Sequence, residues 1–259
     1  MAKSEALSDR GMVVVKLRSP ATTVKHELAS AEARRALMGE FLGSLLFVIF
    51  GAGTVAVTGG LLGERLDSAR LLVVALAHGI AFMLLVAAMQ PISGGHLNPA
   101  VTFAAVVARR MSATRGGLYM LAQCAGAVAA AFILTVVIPT SGVGATLSAQ
   151  ALAPRVSLGG ALMLEIIVTF MLVSAMLATV VAPARPAALG LAAIGLTCVL
   201  AHLFAGPLTG ASMNPARSFG PAFVSGSWKY QWIFWIGPLA GAALAACVHE
   251  LFFTRDKRA

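Results

Sequence analysis

Two copies of one short motif hold the residues whose types and spacing could do chemistry. The first runs Ser93-Gly94-Gly95-His96-Leu97-Asn98-Pro99-Ala100-Val101-Thr102-Phe103, and the second Thr209-Gly210-Ala211-Ser212-Met213-Asn214-Pro215-Ala216-Arg217-Ser218-Phe219. Asn is a favoured N-cap, and Pro is favoured in the first helical turn, where its missing N–H would have no partner. Each motif therefore starts a helix. The apolar runs that follow, through about Val107 and about Phe223, are too short to cross a bilayer, which takes about 20 residues. Short helices behind Gly-rich loops at membrane depth are tolerated only when buried in protein or lining a water-filled cavity. The pattern implies two half-helices that enter from opposite faces and meet Asn to Asn. Helix N-termini carry partial positive charge, so the amides of Asn98 and Asn214 would donate to a passing water oxygen in an electropositive midplane that repels cations. A water held by its oxygen turns its hydrogens outward, which interrupts a proton wire.

Other polar residues stand where polarity is costly. Arg217 lies beside the second half-helix, a place that requires water or a partner. The matching position in the first copy is the apolar Val101, so the helix itself does not call for an Arg. A pore residue and a structural ion pair are the two readings. Glu40 and Glu165 are ionisable groups in apolar helices, for which a function is the default hypothesis. His78 and His202 recur as Ala-His pairs, either as satisfied core residues or as pore residues.

The elements that must position these groups are membrane helices. Of the 259 residues 59% are hydrophobic and only 11% charged, and the mean hydropathy is +0.88, outside the soluble balance. Apolar stretches long enough to span lie at 38–58, 71–90, 117–138, 160–182, 187–205 and 231–253. The Asn residues are offset by 116 positions, from 98 to 214, with three spans in each half. The halves are thus inverted repeats, a plan that puts a functional site near the bilayer midplane. Gly43, Gly126, Gly190, Gly195, Gly237 and Gly241 fall within spans, where small residues let helix backbones approach.

The net charge of +9 is an orientation signal and not a sign of nucleic-acid binding. Lys3, Arg10, Lys16, Arg18, Lys25, Arg34, Arg35, Arg109, Arg110, Arg115, Arg185, Arg255, Lys257 and Arg258 fall on one face if spans alternate. Arg65, Arg70, Arg155 and Lys229 fall on the other. The positive-inside rule then puts both termini in the cytoplasm, with anionic lipid headgroups as natural neighbours. No cleavable signal precedes the first span. Cys124, Cys198 and Cys247 lie in spans at unrelated spacings, which predicts no metal site and no disulfide framework. No phosphate loop or nucleophile–base set suggests an enzyme, and no cofactor is implied.

The doubled Asn-Pro-Ala, before Val-Thr-Phe and before Arg-Ser-Phe-Gly-Pro-Ala, with Ser-Gly-Gly-His ahead of the first, resembles the aquaporin or major intrinsic protein family over residues 34–254. That resemblance implies an all-α membrane fold: six transmembrane helices and two re-entrant half-helices in a right-handed bundle, assembled as a homotetramer. Residues 1–33 and 255–259 are then cytoplasmic tails around inverted repeats at about 34–140 and 159–254. Ser218, where glycerol facilitators carry Asp, and Phe234-Trp235 are similar to water-type pores. Offset from the Asn residues assigns His78, His202, Ala211 and Arg217 to the constriction. This set resembles the hybrid intrinsic proteins of mosses, and its first His the tonoplast intrinsic proteins of plants.

The resemblance further implies that Glu40 and Glu165 accept hydrogen bonds from the backbones of the re-entrant loops, the alternative being a direct part in transport. His96 would brace its loop or respond to pH. Ser112, after Arg109-Arg110, fits a basic-directed kinase pattern. Many relatives are blocked by mercurials through a Cys at the place of Ala211, so no native thiol is expected in the passage. The expected partners are water, small neutral solutes such as ammonia or hydrogen peroxide, and lipid, in a plasma or vacuolar-type membrane. A coupled secondary transporter and a junction protein with a vestigial pore are the competing functions.

Overall fold

The structure is a computed structural model that describes residues 30–61, 66–138, 149–181 and 187–253, together with Val24 and Leu28. The remaining parts of the expected tails, and the basic residues at 3, 10, 16, 18, 25, 65, 185, 255, 257 and 258, lie outside the described residues. The helices are α1 (Ala31–Ala56), α2 (Ser68–Ser93), α3 (Pro99–Val107), α4 (Ala113–Val137), α5 (Leu158–Val181), α6 (Ala187–Thr209), α7 (Pro215–Ser225) and α8 (Ile233–Val248). Helices α1 and α8 each continue into a wider turn, at Val57–Leu61 and His249–Phe253. Among the described residues six helices are long and apolar enough to cross a membrane. The other two, α3 and α7, are the short helices expected behind the Asn-Pro-Ala motifs.

Capping decides where the helices begin. The Ser30 hydroxyl accepts from the Ala33 N–H at 3.3 Å, so α1 starts at Ala31 and residues 31–33, expected in the tail, are helical. Asp67 accepts from the Arg70 N–H at 2.8 Å and starts α2 ahead of its apolar run. Asn98 and Asn214 cap α3 and α7, each followed by Pro at the first position. Gly94, with φ 91°, closes α2 in the left-handed conformation that glycine adopts without steric cost. Pro91 and Pro207 sit within the last turns of α2 and α6, at the same offset as the two Asn residues.

The repeats interlock. Helix α1 packs on α4 and α2, α5 on α8 and α6, and α2 on α6. Each half-helix lies against the last long helix of the other repeat, α7 on α4 and α3 on α8. Two glycines permit the closest approaches: a Cβ on Gly126 would collide with the Phe41 carbonyl of α1, and one on Gly241 with the Ile166 carbonyl of α5. These contacts match between repeats, since Phe41 and Ile166 each follow the buried Glu of their helix. Large apolar side chains such as Phe50, Leu84, Leu121, Val136, Leu196 and Phe252 are exposed on the outside of the bundle, a surface suited to lipid.

Candidate functional site

The two half-helices meet through their caps. The Asn98 amide nitrogen donates to the Met213 carbonyl at 2.9 Å, and the Asn214 amide nitrogen donates to the Leu97 carbonyl at 2.9 Å. The Asn98 side-chain oxygen accepts from the Ala100 N–H at 2.8 Å. That of Asn214 accepts from the N–H groups of Ala216 and Arg217 at 3.1 and 3.2 Å. A primary amide carries two N–H donors, so after these reciprocal bonds each Asn has a second N–H to offer. Leu97 and Met213 both hold φ 52°, a left-handed conformation that costs of order 1–3 kcal/mol for a non-glycine residue.

Two buried carboxylates hold that conformation in place. Glu40 accepts from the N–H groups of His96 and Leu97 at 3.0 and 2.7 Å, from the Ser93 hydroxyl at 2.6 Å and from the Gln123 amide at 2.7 Å. Glu165 accepts from the N–H groups of Ser212 and Met213 at 3.0 and 3.1 Å and from the Thr209 hydroxyl at 2.6 Å. Ser93 and Thr209, His96 and Ser212, and Leu97 and Met213 occupy matching places in the two motifs. Charge-assisted bonds of this kind are the strong ones.

A second layer completes each loop. His96 Nδ1 lies 3.0 Å from the Thr102 hydroxyl, and its ring meets that of Tyr119 edge-on at 5.5 Å. In the second repeat Ser212 bonds Ser218, whose hydroxyl also donates to Gln150; the Gln150 amide in turn donates to the Gly210 carbonyl at 2.9 Å. Sequence reasoning missed Ser93, Thr209, Gln123 and Gln150. The constant 116-residue offset could have found the first two. Gln123 and Gln150 lie in a helix and a loop with no counterpart at that offset.

Three of the four residues assigned to the constriction come together. The His78 and His202 rings stack with centroids 4.1 Å apart, and His78 Nε2 lies 3.4 Å from an Arg217 guanidinium nitrogen. His78 Nδ1 is 2.8 Å from the Val74 carbonyl and His202 Nδ1 is 2.9 Å from the Cys198 carbonyl. A carbonyl can only accept, so Nδ1 carries the proton and Nε2 of the neutral ring is an acceptor. For His78 that acceptor faces the guanidinium. For His202 it is buried without a hydrogen-bond partner. Ala211, with φ 49°, is buried in the loop and donates its N–H to the Thr209 hydroxyl at 3.2 Å. Gly51 on α1 makes room for His78: a Cβ there would lie 2.7 Å from the ring.

Beside the His202 ring a cavity is lined by Phe47, Phe82, Asn98, Leu172, Cys198, His202, Ser212, Met213 and Asn214. It combines an apolar wall with both Asn residues and one imidazole. Cys198 is among these lining residues, so a native cysteine stands beside the Asn pair. Helix α6 turns residues 198 and 202 to the same side because they are one turn apart. Cys247 is exposed and Cys124 half-buried, so the three thiols do not share one buried environment. Ser112 caps α4, its hydroxyl accepting from the Arg115 N–H at 3.1 Å. Next to it Arg110 pairs with Glu250 at 2.6 Å.

Comparison with known proteins agrees with this architecture. The sequence profile described as Major intrinsic protein matches residues 27–249. Aquaporin-4 of Mus musculus is 40% identical over 223 residues, covering 86% of this chain and 68% of that protein. Aquaporin TIP1-2 of Zea mays is 40% identical over 231 residues, 88% of this chain and 89% of its own. The lens fiber major intrinsic protein of Gallus gallus is 41% identical over 231 residues, 87% and 84%. Among solved structures, the aquaglyceroporin from Plasmodium falciparum superposes with a TM-score of 0.77 at 22% identity over 86% of this chain and 97% of that one, a likeness of fold. The chain belongs to the major intrinsic protein family, whose members are passive membrane channels and not enzymes.

Proposed function

We propose that this channel passes water and excludes glycerol, ions and protons, with ammonia and hydrogen peroxide as further small neutral permeants. The observation that carries the reading is the His78 ring lying against both Arg217, at 3.4 Å, and His202, at 4.1 Å. A polyol passing a narrow point needs an apolar wall for its carbon backbone as well as donors for its hydroxyls. Here three polar side chains crowd one point, which suits a small molecule that exchanges bulk hydrogen bonds for bonds to the wall. The His202 Nε2 acceptor and the second N–H of each Asn are placed to receive water in turn.

Exclusion of cations follows from fixed positive charge. Arg217 stands at the constriction, and the positive ends of α3 and α7 converge on the Asn pair. Glu40 and Glu165 already accept bonds from the loops, so their role is to hold the pore-forming backbone and not to carry a permeant. The channel assembles as a homotetramer with one pore per subunit and lies in a plasma or vacuolar-type membrane with both termini cytoplasmic.

Stopped-flow swelling of reconstituted vesicles tests the solute range. The expected result is fast water flux with low activation energy, slow glycerol flux and no ionic current. Glycerol entry as fast as that of water overturns the water-type reading, and flux no greater than in protein-free vesicles overturns conduction altogether.

A further inference from the structure

The loop before α7 is strained at Ala211, with φ 49°, and at Met213, with φ 52°, a conformation that is costly for non-glycine residues. Glu165 holds the middle of that loop through the N–H groups of Ser212 and Met213. Its two ends are held by Gln150, from the connection between α4 and α5. The Gln150 amide nitrogen donates to the Gly210 carbonyl at 2.9 Å, and the amide oxygen accepts from the Ser218 hydroxyl. A carbonyl can only accept, so the Gly210 bond fixes which way the amide points. The oxygen then faces Ser218 and takes its one proton, which makes Ser212 the donor in the Ser212–Ser218 bond.

Neighbouring contacts keep this clamp in place. Gly210, with φ 81°, leaves room for the arm, since a Cβ there would lie 3.0 Å from Gln150 Cγ. The Ala153 N–H donates to the Leu208 carbonyl at 2.9 Å and fastens the same connection to the end of α6. From the other side Gln231, between α7 and α8, donates to the Ser218 carbonyl at 3.1 Å. Gln150, Ser218 and Gln231 are all buried. The first repeat is built differently. Thr102 matches Ser218, but its partner Gln123 lies on a long helix and donates through nitrogen to Thr102 and Glu40. That amide ties the loop to the carboxylate and not one end of the loop to the other.

We propose that Gln150 is a positioning residue for selectivity: by tying Gly210 to Ser218 it fixes the arch of residues 211–217, and with it the Arg217 guanidinium against His78. Gln150 is not among the residues that line the cavity, so it acts through the backbone it holds. Asn214, within the arch, accepts from the Arg217 N–H at 3.2 Å. With the clamp released, the two left-handed residues relax and Arg217 loses its fixed place 3.4 Å from His78 Nε2. The passage then admits a larger neutral solute.

The selectivity readout rests on the water-channel reading, so the test pairs it with one that does not. Gln150→Leu in the full chain keeps the bulk of the side chain and removes both bonds. In reconstituted vesicles its glycerol-to-water flux ratio is expected to rise severalfold over that of the parent. A merely structural role would lower both fluxes together and leave the ratio unmoved. Ser218→Ala should raise the ratio as well, and the double variant should fall short of the combined effect, because members of one hydrogen-bond network are not additive. Amide hydrogen exchange is expected to quicken across 209–219 in Gln150→Leu while that across 93–103 stays as in the parent. An unchanged flux ratio in folded Gln150→Leu overturns the positioning role, and so do exchange across 209–219 equal to the parent's and full additivity of the two substitutions. If the parent already passes glycerol as fast as water, the water-type reading fails and the exchange readout decides the clamp. If Gln150→Leu does not fold, Ser218→Ala decides by the same two readouts.

Discussion

His78 and Arg217 illustrate how a single side chain depends on its neighbours. The guanidinium finds an acceptor in His78 Nε2 only because the Val74 carbonyl holds the proton on Nδ1. Replacing Arg217 with Val removes bulk and charge together. Cation or solute permeability should rise while water flux persists, and unchanged selectivity in a well-folded variant would show that Arg217 is not the filter. Gly51→Ala acts on the same ring. Its Cβ would lie 2.7 Å from the His78 ring, so the ring must leave its place against Arg217 and His202. Water flux should fall, with a stability loss of about 1–3 kcal/mol, the usual cost of overpacking; equal flux in the variant would place His78 away from the path. Asn98, Asn214 and Arg217 were legible in the sequence because a doubled motif marks them and their polarity is costly at that depth. Gly51, Gln123, Gln150 and Cys198 were not legible. Their neighbours come from remote helices, and only packing reveals which face of each helix turns inward.

At the scale of elements, each re-entrant loop is held by one carboxylate from a long helix. Glu165 satisfies two backbone N–H groups and a hydroxyl of the loop before α7. Glu165→Leu leaves the Ser212 and Met213 N–H groups buried without a partner, at about 1–3 kcal/mol for each, while the Thr209 hydroxyl falls back on the Ala205 carbonyl at 3.4 Å. The melting temperature in detergent should drop well below that of the parent, and Glu165→Gln, which keeps acceptor oxygen but not charge, should lie between. Equal melting of all three proteins would mean that the loop is held by other contacts. The existence of every long helix was legible from apolar runs, and both short ones from Asn-Pro-Ala. Helix starts were less so: Ser30 and Asp67 extend α1 and α2 beyond their apolar runs, because a cap stabilises a first turn whose side chains are polar.

For the whole molecule, the described contacts say which ends of the elements share a face. The Arg110–Glu250 pair, at 2.6 Å, ties the connection after α3 to the end of α8. That connection carries Arg109, Arg110 and Arg115, and the sequence beyond α8 adds Arg255, Lys257 and Arg258. Among the described residues, the connection that carries Arg109, Arg110 and Arg115 thus lies at the end of the bundle where α8 finishes. The connection between α7 and α8, with Lys229, is one crossing away from the end of α8. If the positive-inside rule sets the orientation, the Ser112 connection faces the cytoplasm and the Lys229 connection the outside. Single cysteines at these two places, Ser112→Cys and Lys229→Cys in a C124A and C247A background, read the orientation directly. A bulky, charged, membrane-impermeant maleimide does not reach the buried Cys198. It should label the Lys229→Cys chain in intact cells and the Ser112→Cys chain only after the membrane is opened. The reverse pattern would invert the molecule in the membrane and place the His78–Arg217 constriction nearer the cytoplasmic entrance.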